Sequence, residues 1–360
     1  MPPFPRLLDS LGSSDKSYER KIKIIMLQSQ LQSIVEKFAV SATVSTIRPL
    51  GSGLINDTYL VVTEEKDQPD YVLQRINHEV FPDVDMVMRN IAIVTRHIRE
   101  RLIAQGETDL RHHVLEFLPT VEDANRLYAE VDGHYWRLMV FIDHAVTKQE
   151  VNPESAHAAG QSFGHFQAML ADVPCQLGET IKDFHNMEFR IEQLKQACVE
   201  DRAGRFDEPA VQELLEQLGN RAEAMTEAER LGREGKLPKR VCHCDTKVNN
   251  MLFSEDGSEV LCVIDLDTVM PSFIFSDYGD FLRTAASTAA EDEPDFSKII
   301  LLRPDPSSPR WRFRCFPMPS CSSPTCRVCA SCGTTSMVTA IGRCSIPPTT
   351  LSGLKISLNW

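Results

Sequence analysis

Residues 243–265 read HCDTKVNNMLFSEDGSEVLCVID. Two short apolar runs, Met251–Phe253 and Val260–Ile264, flank Glu255-Asp256-Gly257, a strong turn signal, so the segment predicts an antiparallel hairpin. In such a hairpin the residue entering the first strand lies beside the residue leaving the second. Asn250 is therefore expected next to Asp265, with Asp245 and Lys247 just upstream. Phosphoryl transfer needs this set: Asp245 to accept a hydroxyl proton, and Asn250 with Asp265 to hold Mg²⁺ on nucleotide phosphates. Lys247 offsets charge on the transferring group. A His-x-Asp with a nearby Asn also occurs as a plain polar turn before a strand. The hairpin and the second Asp at its far end tip the reading towards catalysis.

A chain of 360 residues, 42% of them apolar, can bury a sizeable core, and its length suggests two domains. A formal net charge of −13 argues against nucleic acid or an anionic membrane surface as the main partner. No run approaches the ~20 apolar residues of a membrane span, and the N-terminus lacks the apolar core of a secretory signal. Five cysteines are scattered over the first 300 residues, as in a reduced intracellular protein. Together these readings predict a cytoplasmic enzyme.

Outward from the motif, the period of the apolar residues changes along the chain. Residues 1–25 are rich in Pro, Ser and charge and read as a disordered extension. From Met26 an amphipathic helix places Leu27, Leu31, Ile34 and Phe38 on one face. Strand patterns follow at 44–47, 57–62 and 71–76, then a helix at 84–104, strands near 114–118 and 127–130, and another strand at 135–142 after the Asp132-Gly133 turn. Beyond Asp143 the pattern turns helical: a stripe of Ala156, Ala159, Phe163, Phe166 and Leu170, then helices at about 187–199 and 209–231. This predicts an α+β chain in which a small antiparallel-sheet N-lobe (26–143) precedes a mostly helical lobe (144–298).

Between the first two strands lies Gly51-Ser52-Gly53-Leu54-Ile55-Asn56. Backbone amides approach phosphates closely only where side chains are absent, so Gly51, Ser52, Gly53 and Asn56 are candidates to cover the phosphates of ATP. A simple hairpin turn explains the same residues; the order glycine loop, strands, helical lobe, HxDxxxxN, Asp is what favours the nucleotide. A basic residue on the third strand is expected to reach the phosphates. Gln74 and Arg75 point to opposite faces there, and charge favours Arg75. The run Tyr135–Asp143, YWRLMVFID, reads as a buried strand or as the connector against which adenine would slot.

At GSGLINDTYLV (51–61), YVLQRINHEVF (71–81), HCDTKVNNMLF (243–253) and VIDLDTVMPSFIFSDYGDFLRTA (263–285), the chain resembles the aminoglycoside phosphotransferase and choline kinase superfamily. Within it the likeness is strongest to the N-acetylhexosamine 1-kinases. The resemblance implies a two-lobed protein-kinase-like fold and ATP- and Mg²⁺-dependent phosphorylation of the anomeric hydroxyl of an N-acetylhexosamine. It matches Asp245 to the catalytic base and Asn250 and Asp265 to the metal ligands. Cys244 departs from the Gly or Asn that many relatives carry there. His243 is expected to hold the loop, and Asp277 and Asp280 to cap a helix. Asp183, His185 and Asn186 lie in the lobe that should hold the sugar, and read either as a plain polar loop or as candidates to contact the substrate.

From about residue 299 the character changes. Residues 301–360 carry seven Lys/Arg and one Asp/Glu, a net of +6, against −19 for the rest. Six of the eleven cysteines crowd here, with Pro, Ser and Arg and no helical period. Cys326, Cys329 and Cys332 have the spacing of zinc or iron–sulfur ligands, and a disulfide knot is a further reading. The absence of a fourth ligand at usual spacing favours a third, an out-of-frame product that leaves the tail unfolded.

Overall fold

Alternating strands build the first part of the structure, a computed structural model that describes residues 28–51, 55–148 and 153–285. The N-terminal extension (1–25), Ser52, Gly53 and the cysteine-rich tail (299–360) lie outside the described residues. The chain divides into two compact units: residues up to Val84 with Leu115–Ile142, and Asp85–Val114 with Asp143 onwards.

In the first unit, helix α1 (28–35) precedes β1 (Val44–Pro49), β2 (Asp57–Thr63) and β3 (Tyr71–Ile76). Helices α2 (Val84–Ala104) and α3 (Leu110–His113) come next in the chain, followed by β4 (Ala129–Val131) and β5 (His134–Val140). The strands form an antiparallel sheet in the order β1-β2-β3-β5-β4. Asp132 and Gly133 both take positive φ in the tight β4–β5 turn, as the right-handed twist of a two-residue hairpin requires. Side chains alternate across the sheet. Ile47, Val61, Tyr71, Leu73, Trp136 and Leu138 occupy one face and pack with Leu31, Ile34 and Val35 of α1 into the core. This apolar face is why α1 forms: its stripe has a sheet to cover.

The second unit holds α2 and α3, the short β6 (Ala145–Val146), and helices α4 (Pro153–Met169), α5 (Met187–Glu200), α6 (Pro209–Met225) and α7 (Glu227–Arg233). It continues with β7 (Arg240–Cys242), β8 (Met251–Ser254), β9 (Val260–Val263), β10 (Met270–Ser272) and α8 (Ile274–Ala285). Strands β6, β8 and β9 make one small sheet, and β7 with β10 a two-stranded one. Ala159 and Phe163 of α4 pack with Val248, Met251, Phe253 and Phe281 beneath the hairpin.

Several expectations change. Residues 85–114 group with the helical unit, although the sequence places them in the N-lobe. Buried Asn90 explains this: its side chain donates to the carbonyls of Gly178 (2.8 Å) and Val269 (2.9 Å) and accepts from Gly178 N (3.1 Å). Residues 114–118 form a single bridge, Phe117 to Met139, in place of a strand. The helix expected over 209–231 breaks at Thr226, whose hydroxyl donates back to Glu223 O (3.0 Å), a bond that bends helices.

Candidate active site

Strand β7 delivers His243, Cys244 and Asp245 to a loop that closes in a single 3₁₀ turn, Val248–Asn250, before β8. The predicted hairpin is present: Met251 pairs with Val263 and Leu252 with Cys262. Gly257 takes a positive φ in its turn. Ile264 N donates to Asn250 O (2.9 Å), so Asn250 lies across from Ile264, the residue before Asp265. Ile264 is also held through its carbonyl, because His243 Nε2 meets Ile264 O at 2.9 Å. That carbonyl can only accept, and His243 Nδ1 accepts from Asp245 N (3.2 Å), so His243 is the neutral Nε2–H tautomer. It is a brace for the loop, with neither nitrogen free for proton transfer.

Asp245 and Asn250 meet directly. Asn250 Nδ2 donates to Asp245 O (2.8 Å) and to Asp245 Oδ2 (3.0 Å). Lys247 Nζ lies 3.4 Å from Asp245 Oδ1. With the amide nitrogen committed to Asp245, the carbonyl oxygen of Asn250 is the atom left for a hard cation. Asp265, at φ 58 and ψ 60, opens the next 3₁₀ turn, Leu266–Thr268, in which Asp267 is buried. One carbonyl and one carboxylate suit Mg²⁺, which keeps several waters and takes its other ligands from substrate phosphates.

Asp277, only 1% exposed, anchors this arrangement from α8. Its carboxylate accepts from His243 N (2.9 Å), Cys244 N (2.8 Å) and Gln167 Nε2 (3.0 Å). Its carbonyl accepts from the Thr246 hydroxyl (2.6 Å). The sequence suggested a helix cap; the tertiary fold uses the group to hold the Asp245 loop. Cys244 takes φ 67, a left-handed conformation that favours Gly or Asn, which accounts for the residues expected there. Burial, helped by the charge of Asp277, pushes the Cys242 and Cys244 thiols far up, so both stay protonated and neither is a nucleophile.

The remaining candidates are placed as follows. Gly51 has φ 71. Asn56 Oδ1 accepts from Asn77 N (3.0 Å), tying the end of the glycine loop to the residue after β3. Arg75 pairs with Asp57 across β2 and β3, on the sheet face that carries Tyr71 and Leu73. On the opposite face Gln74 Oε1 accepts from Arg137 Nε (3.0 Å) and Nη2 (2.9 Å), while Gln74 Nε2 donates to Thr58 Oγ1 (3.0 Å). This buried arginine carries no local signal, because it sits in a run that reads as apolar. Asp183 and Asn186 bond each other (2.8 Å), and Asn186 caps α5 by accepting from Phe189 N (3.2 Å). His185 lies between them in sequence and makes neither contact.

A family model described as "Phosphotransferase enzyme family" matches residues 46–310, most of the chain. The protein belongs to that family. Its activity is accordingly the transfer of a phosphoryl group. Solved structures similar to it include an aminoglycoside phosphotransferase from Alicyclobacillus acidocaldarius, at 18% identity over 70% of each chain and a TM-score of 0.46. A microcompartment-associated aminopropanol kinase is 17% identical over 70% of this chain and 73% of its own, with a TM-score of 0.46. Choline kinase LicA from Streptococcus pneumoniae is 14% identical over 74% and 75%, with a TM-score of 0.39.

Proposed function

We propose that this phosphotransferase uses ATP to phosphorylate the anomeric hydroxyl of an N-acetylhexosamine, giving the sugar 1-phosphate. The observation that carries the chemistry is the Asp245–Asn250 contact, braced against the residue before Asp265. The substrate rests on the resemblance of four segments to the N-acetylhexosamine 1-kinases. Asp245 aligns the acceptor hydroxyl and takes its proton. Lys247 lies against that carboxylate and offsets charge as the phosphoryl group transfers. Asn250 and Asp265 would hold Mg²⁺, which neutralises charge on the β- and γ-phosphates when bound. In this reading Gly51, Ser52, Gly53 and Asn56 cradle the phosphates, and Arg75 exchanges its Asp57 partner for a phosphate oxygen.

The test is ADP release from MgATP with N-acetylglucosamine or N-acetylgalactosamine. Asp245→Asn removes the base while keeping its shape, and kcat should fall by about 10²- to 10⁴-fold, the usual contribution of a positioned base. Undiminished turnover by that variant removes Asp245 from the role. Turnover of amino alcohols or aminoglycosides, with none of the sugars, replaces the substrate while keeping the chemistry.

A further inference from the structure

Beside the Asp245 loop, and wholly within the helical unit, lies a cavity of about 460 Å³. Its walls are the loop before α5, helix α7, the β7–β10 pair and Cys244. Two polar atoms on those walls are buried without a partner: Glu229 Oε2 and His185 Nδ1. Glu229 is only 9% exposed. Its other oxygen accepts from Met187 N (2.8 Å), which fixes the carboxylate in place. The His185 ring stacks on Phe184, centroids 4.6 Å apart and planes 20° apart. Burial lowers the pKa of His185, against the opposing charges of Asp280, Asp277 and Asp245, so the ring is neutral near pH 7 and Nδ1 is a single donor or acceptor. Cys244, the residue before Asp245, forms part of the cavity lining, which places the cavity next to the Asp245 loop.

An unpartnered buried acceptor costs about 1–3 kcal/mol, so two on one cavity wall call for an explanation. A ligand supplies it. Ligand cavities typically run from ~300 to ~1,000 Å³, which puts this one at the small end. The chemistry of the walls narrows the choice. Phe273 provides an apolar surface; it approaches α7 so closely that a Cβ on Gly232 would lie 2.7 Å from its ring. Lys239 and Arg233 also line the cavity, paired with Glu179 and Glu188, so cations already stand at its walls. One ammonium group would satisfy Glu229 alone. Two separate orphan atoms ask for two hydrogen-bonding groups on one uncharged frame.

We propose that this cavity is the acceptor pocket, built for a neutral polyhydroxylated ring, with Glu229 Oε2 accepting one ring hydroxyl and His185 Nδ1 bonding a second. The assignment rests on the kinase reading above; it adds Glu229 as a specificity-determining residue and singles out His185 from the sequence's three sugar-loop candidates. Glu229→Gln retains an oxygen for Met187 N and turns the orphan acceptor into an amide donor. His185→Phe retains the stack on Phe184 and removes both nitrogens.

The experiment is calorimetric titration of the full chain, in the presence of MgADP, with N-acetylglucosamine, N-acetylgalactosamine, aminopropanol and kanamycin. It is paired with steady-state kinetics and with thermal melting in MgATP. Each variant should weaken sugar binding and raise the sugar KM by at least tenfold, with the KM for ATP unmoved and the melting temperature of the parent chain. Unchanged sugar affinity in both variants overturns the pocket. So does a parent chain that binds only the amines, or none of the four probes. Should the sugars bind while MgATP gives no thermal shift, the pocket stands and the kinase reading falls. A MgATP shift without sugar binding has the opposite meaning.

Discussion

At the scale of single residues, Asp277 is the least exposed carboxylate among the described residues. Asp277 gives acceptors to two consecutive backbone amides and to Gln167, all away from water. Removing one partner from a buried hydrogen bond leaves the other with its full desolvation cost, about 1–3 kcal/mol per group. Asp277→Ala strands three donors, so a loss of roughly 3–5 kcal/mol is expected in denaturant titrations. The loop bearing Asp245 should lose its alignment as well, and a 1 Å misplacement can cost ~100-fold in rate. We therefore expect kcat to fall steeply while the KM for ATP changes little. A stable Asp277→Ala chain with normal kcat would show that the loop holds its shape without the Asp277 carboxylate.

At the scale of elements, α3 is fastened to the start of β6 by charge. His112 Nδ1 donates to Asp109 (2.7 Å), and its Nε2 donates to Asp143 Oδ1 (2.7 Å), while Arg111 lies 3.4 Å from Asp143 Oδ2. Those two carboxylates raise the pKa of His112 above its ordinary 6.5, outweighing burial. Burial pushes Asp143 upward, but the His112 bond and the Arg111 charge leave its carboxyl lower than usual; Asp109 is lowered chiefly by its bond to His112. The His112 contribution is complete below about pH 6.5 and is lost as pH rises through the raised value. The two carboxylates contribute above about pH 3.8, and that stability is lost as pH falls through their lowered values. The clamp is strongest between those limits. His112→Gln should lower the melting temperature by a few degrees (about 1 kcal/mol) near pH 5.5, with the difference shrinking by pH 8. Parallel melting curves for the two proteins across that range would sink the clamp.

At the scale of the molecule, each of the two units carries its own core, one under the five-stranded sheet and one beneath the β8–β9 hairpin. Among the described residues no helix is long and apolar enough to cross a membrane. A ligand that binds only the folded chain stabilises it by mass action, about 2.7 kcal/mol at a hundredfold excess over Kd. MgATP should therefore raise the melting temperature of the full chain by several degrees, and Asp265→Ala should abolish most of that rise. A cooperative transition that ignores MgATP would leave the kinase reading without its nucleotide.

Most elements were legible because a period of two or 3.6 records which face of a segment meets the core. The sheet strands, α1, α2, α4 and the β8–β9 hairpin are cases in point. The Asp245–Asn250 contact, and the pairing of Asn250 with the residue before Asp265, were legible for a related reason: a hairpin turns distance along the chain into proximity through local pairing. What the chain does not write locally had to come from the tertiary structure. Asn90 draws α2 to the helical unit through carbonyls 88 and 179 residues away. Asp277 reaches back 34 residues to the loop it anchors. Arg137 is buried through a partner 63 residues away, and Glu229 and His185 share a cavity wall across a helical insertion. Local periodicity determines secondary structure because it is set by the geometry of neighbouring backbone units; long-range polar pairing depends on which buried groups the finished fold leaves facing one another, and only packing decides that.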